Sequence, residues 1–338
     1  MHGPVVGVTR LLGISSGDPA GIGPEIIGKS WDARGIEGLT PFFAVGDPRA
    51  FEAVWSGPVR VIAEPGEAHS AFETALPVLP VIDSGNVVPG EPDLDGARCA
   101  LQALEMGVGL ARAGTTCGIV TGPISKIQLQ KVGFHFPGQT EFIAEACGVG
   151  RQNVAMLLAG PDLKVVPITV HIGLAQVPAA LSVDLIVNRA RAAAKGMTRN
   201  FGIDPPRLAI AGLNPHAGEQ GSMGSEEADI IQPAIDILRE EGFLVSGPLP
   251  ADTMFHAAAR ARYDVALCQY HDQALIPIKA LHFDDAVNMT LGLPIVRTSP
   301  DHGTAFDIAG KGLASPRSMI AAIRMAAQAF DHRQTYDG

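Results

Sequence analysis

The chain has 338 residues, 46% of them apolar and 18% charged, and carries a formal net charge of −10. That length holds one large or two medium α/β domains with ample core, and the low charged fraction favours a body with much interior or a buried subunit interface. The acidic balance, with no basic run or aromatic-interleaved patch, excludes a general nucleic-acid binder, and no apolar run is long enough to span a membrane.

Cys99, Cys117, Cys147 and Cys268 are scattered without a C-x-x-C pair, so no disulfide framework is expected. The N-terminal MHGPVVGVTRLLGISS lacks the charged start and long apolar region of a signal peptide, and a soluble, cytoplasmic protein is expected. Leu11 to Ser16 reads as a buried strand and leads into GDPAGIGPEI, residues 17–26. Pro24 suits the first turn of a helix starting near Glu25. This Gly-rich turn reads either as an anion or cofactor seat or as a tight βα turn with nothing bound, and it is not the G-x-G-x-x-G fingerprint.

Short apolar runs at 41–45, 59–63 and 78–82 alternate with helical stretches. Between Leu94 and Ala113, the residues Ala97, Leu101, Leu104, Val108 and Ala111 recur at helical spacing, with Asp95 as the expected N-cap and Gly114 as the stop. Ile119 to Thr121 is the next strand. Strand and helix alternating on this scale predict parallel-sheet α/β architecture. No internal repeat, low-complexity stretch or composition break marks a linker.

Three apolar runs in the second half each end on a histidine: 165–170 before His171, 208–213 before Asn214-Pro215-His216, and 265–270 before His271. The strand ends of a parallel sheet share one edge, so these histidines can converge, and three imidazoles with an open position suit a catalytic divalent metal. Taken singly, each also reads as an ordinary loop histidine. A helix is expected near 226–242, with Ile230, Ala234, Ile237 and Leu238 on one face, and Glu226 and Glu227 as solvated acids of its first turn. The densest run of reactive groups is 263–310: Tyr270, His271, Asp272 and Gln273 close a short strand, and Lys279, Asn288, Arg297, Asp301 and His302 follow. Lys279, Asn288 and Arg297 can grip an anionic substrate, and a lysine in a partly dry site can accept a proton.

GDPAGIGPEI, PISK, FPGQTEF, ITVHIGL, GLNPHAGE, PADTMF, YHDQALIPIK, VNMTLGLPIVRTS and DHGTAFDIAGKG stand in that order from about Leu12 to about Ala327. This order resembles the 4-hydroxythreonine-4-phosphate dehydrogenase (PdxA) family of vitamin B6 biosynthesis. GDPAGIGPEI and HGTAFDIAGKG also resemble a turn and an adenosine-side loop of the isocitrate and isopropylmalate dehydrogenases. The resemblance implies an isocitrate/isopropylmalate-dehydrogenase-like α/β fold, with two α/β/α domains flanking an active-site cleft. The domains are expected at 1–135 plus 295–338 and at 136–294. It further implies a homodimer sharing its active sites, a phosphorylated amino acid substrate, NAD or NADP, and a divalent Zn, Mg or Co ion.

By the same resemblance His171, His216 and His271 are the metal ligands, one reaching across the dimer. Lys279, Asn288 and Arg297 contact the substrate near its reacting hydroxyl, and Gln139 and Thr140 hold the phosphate-bearing part. Lys279 and Asp272 are the catalytic candidates. Gly303, Thr304, Asp307 and Asn214 belong to the cofactor site. The implied reaction oxidises the 3-hydroxyl and then loses CO2, giving 3-amino-2-oxopropyl phosphate. One position departs from the family pattern: Gln139 stands where its members usually carry His, and Gln donates a hydrogen bond but carries no charge. The rival readings are a dehydrogenase of carboxylated cis-dihydrodiols, a metal-dependent hydrolase that needs no nicotinamide, and a non-catalytic small-molecule binding protein.

Overall fold

The computed structural model describes residues 10–337, so most of the N-terminal segment read for a leader lies outside the described residues. The chain folds into two compact units. One comprises the described residues up to Cys147 with Pro294–Phe330, and the other comprises Gly148–Leu293 with the described residues from Asp331 on.

In the first unit the strands are β1 (Leu12–Ser15), β2 (Phe42–Gly46), β3 (Val59–Val61), β4 (Leu76–Pro80) and β5 (Gly118–Thr121). The second unit contributes β6 (Ala155–Ala159), β7 (Lys164–Pro167), β8 (Arg207–Ala211), β9 (Leu244–Leu249), β10 (Val265–Cys268) and β11 (Val287–Leu291), after which β12 (Arg297–Pro300) returns to the first. The first unit's order is β3-β4-β2-β1-β5-β12, and every pair within it is parallel. Neighbouring residues such as Phe42 and Phe43 are both fully buried. Both faces of this sheet are therefore covered, as an all-parallel sheet requires.

Two helices of this unit show how local sequence sets the ends. Gly23–Asp32 starts with Pro24 in its first turn, where a missing N–H costs nothing. Leu94–Arg112 is capped by Asp93, not by Asp95: the Asp93 carboxylate accepts from the N–H of Gly96 at 2.7 Å. The helix begins one residue before Asp95, which therefore lies in the first turn and pairs with Arg98.

The second unit's order is β11-β6-β7-β10-β8-β9. β6 runs antiparallel to both its neighbours, while β7, β10, β8 and β9 form a parallel run. The long helix Val183–Phe201 is capped by Ser182, ends on the left-handed Gly202 and buries Ile186, Ala190, Ala193 and Met197. The helix expected near 226–242 opens with a π-turn, Glu227–Ile231, before Gln232–Glu240. The wider turn rotates the apolar face by one position. Ile231, Ala234, Ile235 and Leu238 are buried, whereas Ile237 faces out.

Candidate active site

The three histidine-bearing strand ends are neighbours. β10 lies between β7 and β8, and all three run parallel, so their carboxyl ends share one edge, where α/β sheets carry their chemistry. Buried amides bind these ends together. Beyond the strands, the N–H of Ile168 donates to the Cys268 carbonyl at 2.7 Å, and the Thr169 hydroxyl donates to the Gln269 carbonyl at 2.8 Å. On the other side, Gln269 Nε2 donates to the Ala211 carbonyl at 2.6 Å and Gln273 Nε2 to the Gly212 carbonyl at 2.8 Å. Gln273 Oε1 accepts from the Gln269 N–H at 2.7 Å. Both side chains are buried, so each bond is worth more than at the surface and costly to leave unmade.

This edge brings His171 and His271 together, with ring centres 5.7 Å apart and planes tilted by 45°. They line a pocket of about 210 Å³ with Thr169, Ile172, Leu174, Val177, Tyr270 and Asp272. His271 opens the helix His271–His282, and its Nδ1 lies 2.6 Å from Asp272 Oδ1. That contact fixes the ring and leaves Nε2 for a ligand. His171 sits in left-handed backbone, φ 53°. With nitrogen–metal bonds of about 2.1 Å, two imidazoles sharing an ion have ring centres roughly 5–6 Å apart. The pair thus fits two ligands of one divalent ion.

His216 follows β8 on Pro215–Gly221, where residues 216–220 all have positive φ. Among the described residues, no group of three or more His, Cys, Asp or Glu side chains of the single chain is disposed to hold a metal ion. Glu227 is buried, contrary to its reading as a solvated acid. Its Oε1 accepts from the N–H groups of Leu213 and Asn214 at 2.7 and 2.8 Å, and its Oε2 accepts from Asn214 Nδ2 at 2.9 Å. Glu226 Oε2 accepts from the same nitrogen at 2.7 Å, and this bond holds the Glu226 carboxyl below its ordinary range. Lys279 lies two turns along the helix from His271, with its ammonium 5.5 Å from the Phe283 ring centre, and Asn288 is half-buried on β11.

In the first unit a second group gathers at the end of β5. Arg297, buried at the start of β12, donates from Nη2 to Thr121 Oγ1 at 2.8 Å and to Gln139 Oε1 at 3.1 Å. Gln139 Nε2 donates in turn to the Gly122 carbonyl at 3.2 Å. Burial pushes the Arg297 guanidinium down to about 10, opposed by the Glu141 carboxylate, so it stays charged at neutral pH. Gln139 and Thr140 begin the helix Gln139–Ala146, whose free N–H groups point toward any anion held there. Thr121 was missed in the sequence because its partner Arg297 is 176 residues away.

The loop after β12 explains the Gly-rich turn. The N–H of Ile22 donates to the Thr304 carbonyl at 3.0 Å, and a Cβ on Gly21 would stand 3.0 Å from that oxygen. Gly90 likewise admits the Phe306 carbonyl, 2.9 Å from where its Cβ would be. Further on, Lys29 Nζ donates to the Gly312 and Ala314 carbonyls and to the buried Glu25, which also accepts from the Ala314 N–H. Gly21 of the turn, with Gly90 outside it, therefore makes room for the backbone at Thr304 and Phe306. Gly303 is exposed, with open space at its α-carbon, Thr304 is half-buried and Asp307 is exposed. Asp18, deep in the turn, is raised to about 6 by burial, with Asp93 adding to the shift.

A chain whose parallel strands deliver paired imidazoles to one sheet edge has the build of an α/β enzyme that works at its strand ends. It belongs to the PdxA family, described as pyridoxal phosphate biosynthetic proteins, whose family model matches residues 39–326. The chain is 52% identical over 327 residues to the 4-hydroxythreonine-4-phosphate dehydrogenase of Zymomonas mobilis, covering 97% of this chain and 98% of that one. The 1.25 Å crystal structure of the enzyme of that name from Klebsiella pneumoniae superposes with a TM-score of 0.85 at 37% identity, covering 95% and 99% of the two chains. A terephthalate 1,2-cis-dihydrodiol dehydrogenase from Burkholderia xenovorans is more distant, with a TM-score of 0.64 at 30% identity over 94% and 98%. The chain is accordingly an enzyme of the oxidoreductase class, in the α/β fold class expected from its sequence.

Proposed function

We propose that the protein is a divalent-metal-dependent, NAD-dependent 4-hydroxythreonine-4-phosphate dehydrogenase. It oxidises the 3-hydroxyl of 4-phosphooxy-L-threonine and releases CO2 to give 3-amino-2-oxopropyl phosphate. The observation that carries this reading is the His171–His271 pair at adjacent strand ends, in a chain 52% identical throughout its length to an enzyme of that name.

His171 and His271 would hold the ion together with His216 of the partner subunit. The proposed homodimer is consistent with the exposed apolar side chains Leu174, Ile276 and Phe283 of the second unit. When bound, the ion supplies Lewis acidity toward the substrate hydroxyl and NAD supplies the hydride acceptor. Asp272 keeps the His271 ring oriented. Lys279, or a water it positions, takes the hydroxyl proton, and Asn288 holds that end of the substrate by hydrogen bonding. Because Arg297 is bonded to Gln139, we assign its guanidinium to the phosphate and not to the reacting hydroxyl where the resemblance sets it; Thr140 and the helix N–H groups would share that phosphate, and a planar fork suits it. Gly303, Thr304, Asp307 and Asn214 would line the cofactor site. Once C3 is a carbonyl the carboxylate is β to it, so CO2 leaves without a further catalytic group.

No helix among the described residues is long and apolar enough to cross a membrane, and we assign the enzyme to the cytoplasm. The test is NAD reduction by the metal-loaded protein with 4-phosphooxy-L-threonine and, separately, with a carboxylated cis-dihydrodiol. Turnover on the phosphorylated amino acid alone is expected. Turnover on the dihydrodiol alone would move the protein to a different substrate class, and hydrolysis without nicotinamide would overturn the dehydrogenase reading.

A further inference from the structure

We infer that Glu227 is a positioning residue that sets metal affinity by holding the His216 loop in its left-handed turn; this rests on His216 being a metal ligand, as proposed above. Four residues of that loop other than glycine, His216, Ala217, Glu219 and Gln220, have φ between 42° and 59°. L-residues rarely occupy this region, and a run of them persists only where the surroundings over-determine it. Glu227 supplies that determination. Its buried carboxylate takes both backbone N–H groups at the root of the loop, Leu213 and Asn214, and the Asn214 side chain as well.

Two glycines make room for it. A Cβ on Gly218 would lie 2.6 Å from Glu227 Oε2, and one on Gly212 would lie 3.1 Å from Oε1. The carboxylate is thus enclosed by the loop that it binds, with acceptor capacity facing three N–H donors from two consecutive residues. Its oxygens are taken up by donors of the loop's own root. It fixes the backbone from which His216 projects, as groups behind metal ligands commonly do.

The test is calorimetric titration of the metal-free, full-length protein with Co²⁺, comparing Glu227→Gln, His216→Ala and the double variant. A glutamine keeps one oxygen for the two backbone N–H groups but turns an NH2 toward Asn214 Nδ2, donor against donor. Glu227→Gln is expected to weaken Co²⁺ binding about 10- to 100-fold while the metal-free protein stays folded. Added to His216→Ala it is expected to cause no further loss, because it acts through that residue. Unchanged affinity in Glu227→Gln, with weakened affinity in His216→Ala, would overturn this inference and leave the metal reading standing. Unchanged affinity in His216→Ala would overturn the metal reading of His216 and this inference with it. Should Glu227→Gln not fold, amide exchange in the unaltered protein decides: slow exchange at Leu213 and Asn214 is expected, and exchange as fast as in open loops would overturn the clamp.

Discussion

Gln139 and Arg297 are joined by a hydrogen bond whose direction admits only one arrangement. Arg297 has no acceptor and the Gly122 carbonyl has no donor, so Gln139 must turn its oxygen to the guanidinium and its NH2 to the carbonyl. The neutral amide therefore holds a buried cation in place instead of adding charge of its own.

Removing that hold should show in substrate affinity. Gln139→Ala removes one of the hydrogen bonds that place Arg297, and a hydrogen bond to a charged group contributes about 1.5–3 kcal/mol. Steady-state kinetics should show KM for the phosphorylated substrate rising about tenfold or more, with kcat changed less. Equal loss in kcat with KM unmoved would place Gln139 at the reacting centre.

The His271–Asp272 contact separates a ligand from the group that orients it. His271→Ala should abolish stoichiometric Co²⁺ binding and metal-dependent turnover. Asp272→Asn should retain binding weakened about 10- to 100-fold, since it frees the ring to rotate without removing it. Calorimetry and metal analysis of the dialysed proteins measure both. Wild-type affinity in Asp272→Asn would mean that the ring is oriented by something else.

Asp18 should make the protein less stable at alkaline pH. Its folded value, about 6, lies above the ordinary 3.8, so the folded state binds its proton more tightly than the unfolded chain does. Below 3.8 both states are protonated and nothing is lost. As pH rises to about 6 and beyond, the buried charge costs up to about 3 kcal/mol. Asp18→Asn should therefore raise Tm at pH 8 and leave it unchanged near pH 3.5. Denaturation curves at the two pH values measure this, and a variant destabilised equally at both would count against it.

Glu25 is fully buried with Lys29 as its ionic partner, and together they tie the first helix to the chain at Ala314. Lys29→Met strands that carboxylate, at a cost of about 3–5 kcal/mol. Adding Glu25→Gln removes the stranded charge while keeping an oxygen for the Ala314 N–H, so the double variant should recover most of the stability. Urea unfolding of the wild type, Lys29→Met, Glu25→Gln and the double variant provides the cycle, and additive losses would show that the pair is not coupled.

The apolar runs that became β1, β5 and β10 were legible because a strand buried on both faces needs nothing but apolar residues between polar ends. The shared edge of β7, β10 and β8 was legible for the same reason, since parallel strands place their exits together. What sequence spacing could not show was sub-turn geometry and long-range pairing. Asp93 and Asp95 are equally good capping residues on paper, and only the start of the helix at Leu94 decides between them. The π-turn at Glu227 rotates an apolar face that helical spacing places one residue away, and it turns an apparently solvated acid into the buried anchor of a loop. Likewise the Arg297–Gln139 bond links segments 158 residues apart.

His171 and His216 share a backbone state that glycine or asparagine would occupy more comfortably. Any campaign that ranks variants by heat resistance will thus be drawn to these two positions, where His→Gly relieves backbone strain of about 1–3 kcal/mol each. The hardiest clones it recovers would be those that had lost the imidazoles. Selection for robustness and selection for turnover pull in opposite directions at the same two residues, so a library built for thermal tolerance should hold both fixed.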